Sequence, residues 1–173
     1  MDIITNNNSL VFDPPVQVDA GWTDDLLTFD GHGHLYGIAA GVLHKYTVTA
    51  TKPATAADIA HNGTIGTGFT LKTLTATGPD LLLGTTAAGE LLSYRITGGD
   101  WARFELRSST WQVFDDLVSP GGGLYFAHHR SGALYCYVDA SPSDGTGTDI
   151  VSRGTVDETG WTQTLLSAQP LRY

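Results

Sequence analysis

The stretch from Trp22 to Tyr46, WTDDLLTFDGHGHLYGIAAGVLHKY, decides how the rest of the chain is read. An aromatic opens it and a short apolar run follows. A polar turn built on Gly then leads to a Leu-aromatic strand, and a second turn leads to a Leu-x-x-Tyr strand. Period-2 apolar runs separated by Gly-rich turns predict consecutive antiparallel strands, a meander.

The same order of features returns twice and begins a fourth time. Trp22, Phe69, Trp111 and Trp161 are the openers, at spacings of 47, 42 and 50 residues. After them come LLTFDGHGHLYG, TLTATGPDLLLG, DLVSPGGGLYFA and LLSAQPLRY. The next strand reads GVLHKY, GELLSY and GALYCY, so that Leu43 and Tyr46, Leu91 and Tyr94, and Leu134 and Tyr137 share one offset. A period near 45 residues belongs to propeller blades, not to heptads or helical solenoids.

The two chain ends complement each other. VQVDAGW before Trp22 matches the residues before the later openers, so the N-terminus reads as the end of a blade, with strands at Ser9 to Phe12 and Val16 to Ala20 after a polar lead over residues 1–8. Residues 161–173 read as the start of one: an opener, a first strand, and a truncated second strand at Leu171 to Tyr173. Joining the ends buries strand edges that would otherwise invite sheet-to-sheet association. The expected fold is therefore an all-β, single-domain propeller over residues 1–173, with four blades of four antiparallel strands. The blades are 22–68, 69–110, 111–160, and 161–173 joined to 1–21, at about 43 residues each. A self-closed ring is expected to be a monomer, whereas an incomplete ring would dimerise to cover its edges.

Composition fits a globular all-β domain: 41% hydrophobic, 16% charged, and 21 glycines to supply turns. Ala54 to His61 has helical composition but is short and reads as an irregular loop. Nine basic residues are scattered among eighteen acidic ones, for a formal charge of −9, which argues against nucleic acid as a partner. No run of eighteen apolar residues is present, so no membrane span is expected. Met1 leads directly into DIITNNNS, which lacks a basic n-region and an apolar h-region, so no signal peptide is expected in this stretch and the compartment stays open. The lone cysteine, Cys136, cannot form an internal disulfide and reads as a small packed strand residue.

FDGHGHLYGIAAGVLHKY, SPGGGLYFAHHRSGALYCY and the preceding TGW or SSTW resemble the repeats of the tachylectin family of propeller lectins, which run as a Trp opener, FDxxGxLYGV and GxLYKY. The resemblance spans nearly the whole chain. It implies a β-propeller that binds N-acetylated amino sugars through one shallow site per blade or blade interface. The family pattern has five blades, and this chain has residues for four.

Sugar recognition also has a basis in the residue types. Aromatic faces stack on the apolar face of a pyranose, while carboxylates and backbone groups hold its hydroxyls. Trp22, Asp24, Asp25, Asp30 and Tyr36 in the first repeat, and Trp111, Asp115, Asp116 and Tyr125 in the third, are the expected ligand-binding residues. The second repeat is expected to be defective, because Phe69 is its opener and Leu83 stands where Tyr36 and Tyr125 are aligned. The aspartates also suit turn capping, and the openers suit packing between blades.

Enzyme motifs are absent: no Gly-x-Ser-x-Gly elbow, phosphate loop or cysteine pair is found, and no cofactor is expected. His32, His34, His44, His128 and His129 are the candidates for a metal site, with His61 placed in a loop. The alternative to a lectin is a propeller scaffold for protein binding, or a small-molecule enzyme using the His-rich turns.

Overall fold

A computed structural model describes residues 3–6, 9–12, 14–168 and 170. Fourteen strands are present among them: β1 (Ile3–Asn6), β2 (Ser9–Phe12), β3 (Leu26–Phe29), β4 (His34–Ala39), β5 (Val42–Val48), β6 (Ile59–Thr67), β7 (Leu71–Gly78), β8 (Leu81–Thr86), β9 (Leu91–Thr97), β10 (Asp100–Arg107), β11 (Phe114–Gly121), β12 (Leu124–His129), β13 (Leu134–Asp139) and β14 (Ile150–Asp157). They form three four-stranded antiparallel meanders, β3–β6, β7–β10 and β11–β14, and one hairpin, β1–β2. The innermost strands β3 and β7, and β7 and β11, lie against one another, and the sheets follow each other like blades of a propeller. Among the described residues no helix is long and apolar enough to cross a membrane.

Each blade packs one face on the next. Tyr36, Ile38 and Leu43 of the first blade meet Phe69, Leu82, Leu92, Tyr94 and Ile96 of the second. Leu83 and Leu91 of the second meet Trp111, Phe114, Leu117, Tyr125 and Ala127 of the third. Burying each such side chain contributes roughly 1.5–3 kcal/mol, so the two interfaces hold the array together. A polar staple repeats between the inner strands. Ala76 N–H donates to Thr28 Oγ1 at 2.9 Å, and one blade later Ser119 N–H donates to Thr75 Oγ1 at 3.1 Å.

A second repeated contact fixes the openers. Phe69 N–H donates to the Gly41 carbonyl at 3.0 Å, Trp111 N–H to that of Gly89 at 3.0 Å, and Trp161 N–H to that of Gly132 at 3.1 Å. Each of these glycines ends the turn between the second and third strands of its blade with a positive φ, of 76°, 100° and 86°, which glycine adopts without strain.

Two expectations at the chain ends are corrected. Val16 to Ala20 forms no strand, and the polar lead supplies one: Ile3–Asn6 pairs with Ser9–Phe12, joining Ile3 to Phe12 and Asn6 to Ser9. Residues 164–168 form no strand, and Leu171 to Tyr173 lie outside the described residues. The strands β1 and β2 pair only with each other, and the described sheets do not close a ring. The segment read as a loop at Ala54 to His61 holds a 3-10 turn, Ala56–Asp58, and the start of β6. Asp58 Oδ2 accepts the N–H groups of Ala54 at 2.9 Å and Thr55 at 3.0 Å. These bonds hold its carboxyl below the usual carboxylate range.

Candidate functional site

Three pockets recur at one place in successive blades. Each is bounded by the opener, the Tyr of the Leu-x-x-Tyr strand, and residues of the outermost strand. The first, about 310 Å³, is lined by Asp19, Trp22, Asp24, His44, Tyr46 and His61, with small residues between them. Phe69, Tyr94, Trp101, Thr86, Glu90 and Arg103 line the second, of about 460 Å³. The third, about 360 Å³, is lined by Arg107, Trp111, Phe114, Tyr137, Ile150 and Ser152.

A tilted contact between two rings organises all three. Trp22 and Tyr46 have centroids 4.7 Å apart, Phe69 and Tyr94 5.0 Å, and Trp111 and Tyr137 4.7 Å. The tyrosine sits on the third strand, where alternation turns it to the same side as the opener. Burial pushes all three tyrosine hydroxyls above their ordinary range, with Asp24 adding to the effect at Tyr46. Trp22 and Trp101 leave 37% and 39% of their surface open, enough to present a ring to a ligand, whereas Phe69, Tyr94 and Trp111 are buried at 3%, 4% and 4% exposure.

Of the residues expected from sequence, only Trp22, Asp24 and Trp111 line these pockets. Asp24 lies over Gly37, where an added Cβ would collide with its carboxylate, and Tyr46 OH donates to its Oδ2 at 3.3 Å. Asp25 is exposed, and its N–H donates to the Ile38 carbonyl at 2.7 Å. Asp30 is fully buried and caps its turn, its Oδ1 accepting the N–H groups of His32 at 2.7 Å and His34 at 2.9 Å. Asp115 is exposed and paired with Lys72 at 2.8 Å, and Asp116 meets His128 Nδ1 at 3.2 Å.

Tyr36 and Tyr125 are core residues, 0% and 1% exposed, and present no face to solvent. Tyr36 OH donates to Asp80 and Tyr125 OH to Asp139 at 2.7 Å. They are also not equivalent. Tyr36 stands opposite Thr28 and Leu83 opposite Thr75, but Phe126, not Tyr125, stands opposite Val118. Val118 lies seven residues after Trp111, whereas Thr28 and Thr75 lie six after their openers, so Tyr125, at the same distance from its opener as Tyr36, falls one residue short of the place of Tyr36 and turns to the other face of the sheet.

The second pocket, expected to lack a stacking ring, holds three. Trp101 lies 4.9 Å from Phe69 and 5.9 Å from Tyr94, and it packs over Gly66 of the preceding blade. Nothing in the repeat spacing marks Trp101, because it enters from the outermost strand. Likewise His61 belongs to β6, 5.0 Å from Tyr46 and 5.5 Å from His44.

The metal candidates fall in separate places. His44 lines the first pocket, His128 binds Asp116 and the Trp161 carbonyl at 2.8 Å, and His129 meets Ser131 Oγ at 2.7 Å. His32 Nδ1 lies 3.0 Å from the carbonyl of Asp30. Among the described residues only His34 joins a cluster of two carboxylates, 2.9 Å from Asp30 and 3.8 Å from Asp80. Lys45 Nζ already occupies Asp80 Oδ1 at 2.7 Å, so an ammonium supplies the positive charge there. Burial alone would raise the Asp80 carboxyl, but hydrogen bonds from Lys45 and Tyr36 hold it below the usual range.

No family model matches the chain, and no curated protein matches it. One solved structure similar to it is described by the words "The de novo evolutionary emergence of a symmetrical protein is shaped by folding constraints". It is 17% identical with a TM-score of 0.52, over 92% of this chain and 93% of that one. The crystal structure of Sqt1 from Saccharomyces cerevisiae is 14% identical with a TM-score of 0.46, over 79% of this chain and 37% of that one. At such identity the first likeness speaks for the fold alone.

Proposed function

We propose that this chain is a carbohydrate-binding, lectin-like propeller that takes N-acetylated amino sugars or related glycans at the opener pockets of its blades. The observation that carries the reading is the recurrence of one pocket, an opener ring tilted against the third-strand tyrosine, in the three described blades. A catalytic centre is a single constellation, whereas a repeated shallow aromatic site suits repeated capture of one kind of ligand. The resemblance to tachylectin-type repeats points to the same ligand class. Each site is expected to bind at about millimolar to micromolar strength, roughly 4–8 kcal/mol, so that avidity comes from several sites on one molecule.

The proposal includes ring closure as four blades. Leu166, Ser167 and Ala168 border a cavity with Leu27 and Phe29 of the first blade and Val118 of the third, the place of an innermost strand. Pro170 is buried. On the first blade a groove of about 650 Å³ lined by Phe29, Leu35, Val48, Pro53 and Ile59 is open, while Leu82 and Tyr125, the counterparts of Leu35, are 1% exposed. A fourth blade of residues 161–173 joined to 1–21 would cover that groove and leave a monomer. Light scattering at low micromolar concentration checks this, and a stable dimer contradicts it.

Glycan-array screening of the folded chain tests the function, followed by titration of each hit against Trp22→Ala and Trp101→Ala proteins checked for folding. Binding weakened by either substitution is expected. A folded protein that binds no glycan contradicts the proposal.

A further inference from the structure

The three pockets share a frame but differ in charge. In the second, Arg103 pairs with Glu90 at 3.1 Å. In the third, the Arg107 guanidinium lies in the wall and donates to the Ile150 carbonyl at 3.0 Å. The first holds two carboxylates, Asp19 and Asp24, beside the imidazoles of His44 and His61, and among the described residues no Lys or Arg lines it. Asp24 Oδ1 is buried with no hydrogen-bond partner among the described residues, and Oδ2 has only the Tyr46 hydroxyl, so the charge has no counter-ion. Beside it runs a row of rings, Trp22, Tyr46, His61 and His44, at successive centroid distances of 4.7, 5.0 and 5.5 Å.

Ring faces carry negative quadrupole potential, and an ammonium group is drawn to them, most strongly to tryptophan. A neighbouring carboxylate adds its own attraction to the same charge. We infer that the first-blade pocket selects ligands bearing a free ammonium group, and that its sugar is an amino sugar whose nitrogen is not acetylated. The sugar part rests on the carbohydrate reading above; the ammonium part rests on Trp22, Tyr46, Asp19 and Asp24. N-acetylation replaces the cation with a neutral amide and removes both attractions, while the second and third pockets, which hold their own arginines, gain nothing from a cationic ligand.

The test is an NMR titration of the full chain at neutral pH, following the indole N–H signals of Trp22, Trp101 and Trp111. The probes are glucosamine, N-acetylglucosamine, glucose and tetramethylammonium. Glucosamine is expected to move the Trp22 signal with a dissociation constant at least about tenfold below that of N-acetylglucosamine, about 1.4 kcal/mol. Asp24→Asn is expected to remove the preference, with Asp19→Asn as the second variant should the first disturb folding. Equal binding of the two sugars at Trp22, or a preference that survives both substitutions, overturns the inference. N-acetylglucosamine binding at Trp101 and Trp111 with no amine selectivity at Trp22 sinks it and leaves the carbohydrate reading standing. Tetramethylammonium binding at Trp22 with no sugar bound anywhere does the reverse, and no binding by any probe overturns both.

Discussion

Trp161 is held to Gly132 as Trp111 is to Gly89 and Phe69 to Gly41, by an opener N–H on a turn carbonyl at 3.0–3.1 Å. The fourth repeat therefore begins with the same docking contact as its predecessors, although no strand follows it among the described residues. His128 Nε2 adds a bond to the Trp161 carbonyl at 2.8 Å. Deleting residues 165–173 removes buried Pro170 and the lining supplied by Leu166 to Ala168. A melting temperature lower by about 5 °C is expected, since each kcal/mol corresponds to about 2–4 °C in a domain of this size. An unchanged melting temperature in a monomer means that the C-terminus does not complete the ring.

Lys72 bridges the second and third blades, donating to the carbonyls of Gln112 at 3.0 Å and Phe114 at 2.6 Å as well as to Asp115. Asp115 is half-exposed, so its ion pair alone contributes little, about 0–1 kcal/mol. Urea unfolding should show Lys72→Ala destabilised by about 1–3 kcal/mol, because two carbonyls lose a charged donor, and Asp115→Ala by less than about 1 kcal/mol. Equal losses would place the whole effect in the surface pair.

The Asp80 carboxyl, held low by Lys45 and Tyr36 against the opposing effect of burial, links the first two blades. A folded-state pKa below the unfolded value of 3.8 means that the unfolded chain takes up the proton first as pH falls. The contribution is present in full above that value and is lost as pH drops through the folded one. Stability measured between about pH 5 and pH 2 should fall less steeply in Asp80→Asn than in the parent chain. Parallel pH profiles would remove Asp80 from the acid-sensitive link.

Gly37 has its use in the first pocket. A methyl group at this position displaces the Asp24 carboxylate above it, and the aspartate, as the flexible partner, gives way. Gly37→Ala should weaken ligand binding at Trp22 by about tenfold while leaving the second and third pockets unchanged. A uniform loss at all three would mean that the substitution acts through the fold.

The sequence made the repeat legible because openers and Leu-x-x-Tyr strands are buried and keep a strict alternation. The outermost strands were less legible for the opposite reason. In β14, Val151 to Asp157 are all exposed, so no apolar period marks them, and the same polarity hid Trp101 and His61 as pocket residues. The pairing of Tyr36 with Tyr125 failed on a single extra residue between opener and first strand, seven positions from Trp111 to Val118 against six from Trp22 to Thr28, which leaves the LeuTyr spelling at the same offset while exchanging the faces. At the N-terminus, Val16 to Ala20 alternates like a strand but forms none, whereas Ile3 to Asn6 pairs with Ser9 to Phe12.

The site is legible at the openers and illegible at the aspartates. Asp30 and Asp115 carry the polarity a sugar site needs, yet one is consumed by its own turn and the other by Lys72. Spacing could not separate them from Asp24, whose freedom depends on the small residue at Gly37 beneath it.

The most direct measurement is a crystal structure of the full chain with the glycan selected by array screening. Sugar rings should lie in the opener pockets at the same place in at least two blades, against the exposed rings of Trp22 in the first and Trp101 in the second. A glycan held only at one unrepeated place, such as the Asp30, His34 and Asp80 cluster, or opener pockets that stay empty at saturating glycan, would contradict repeated carbohydrate binding by the blades.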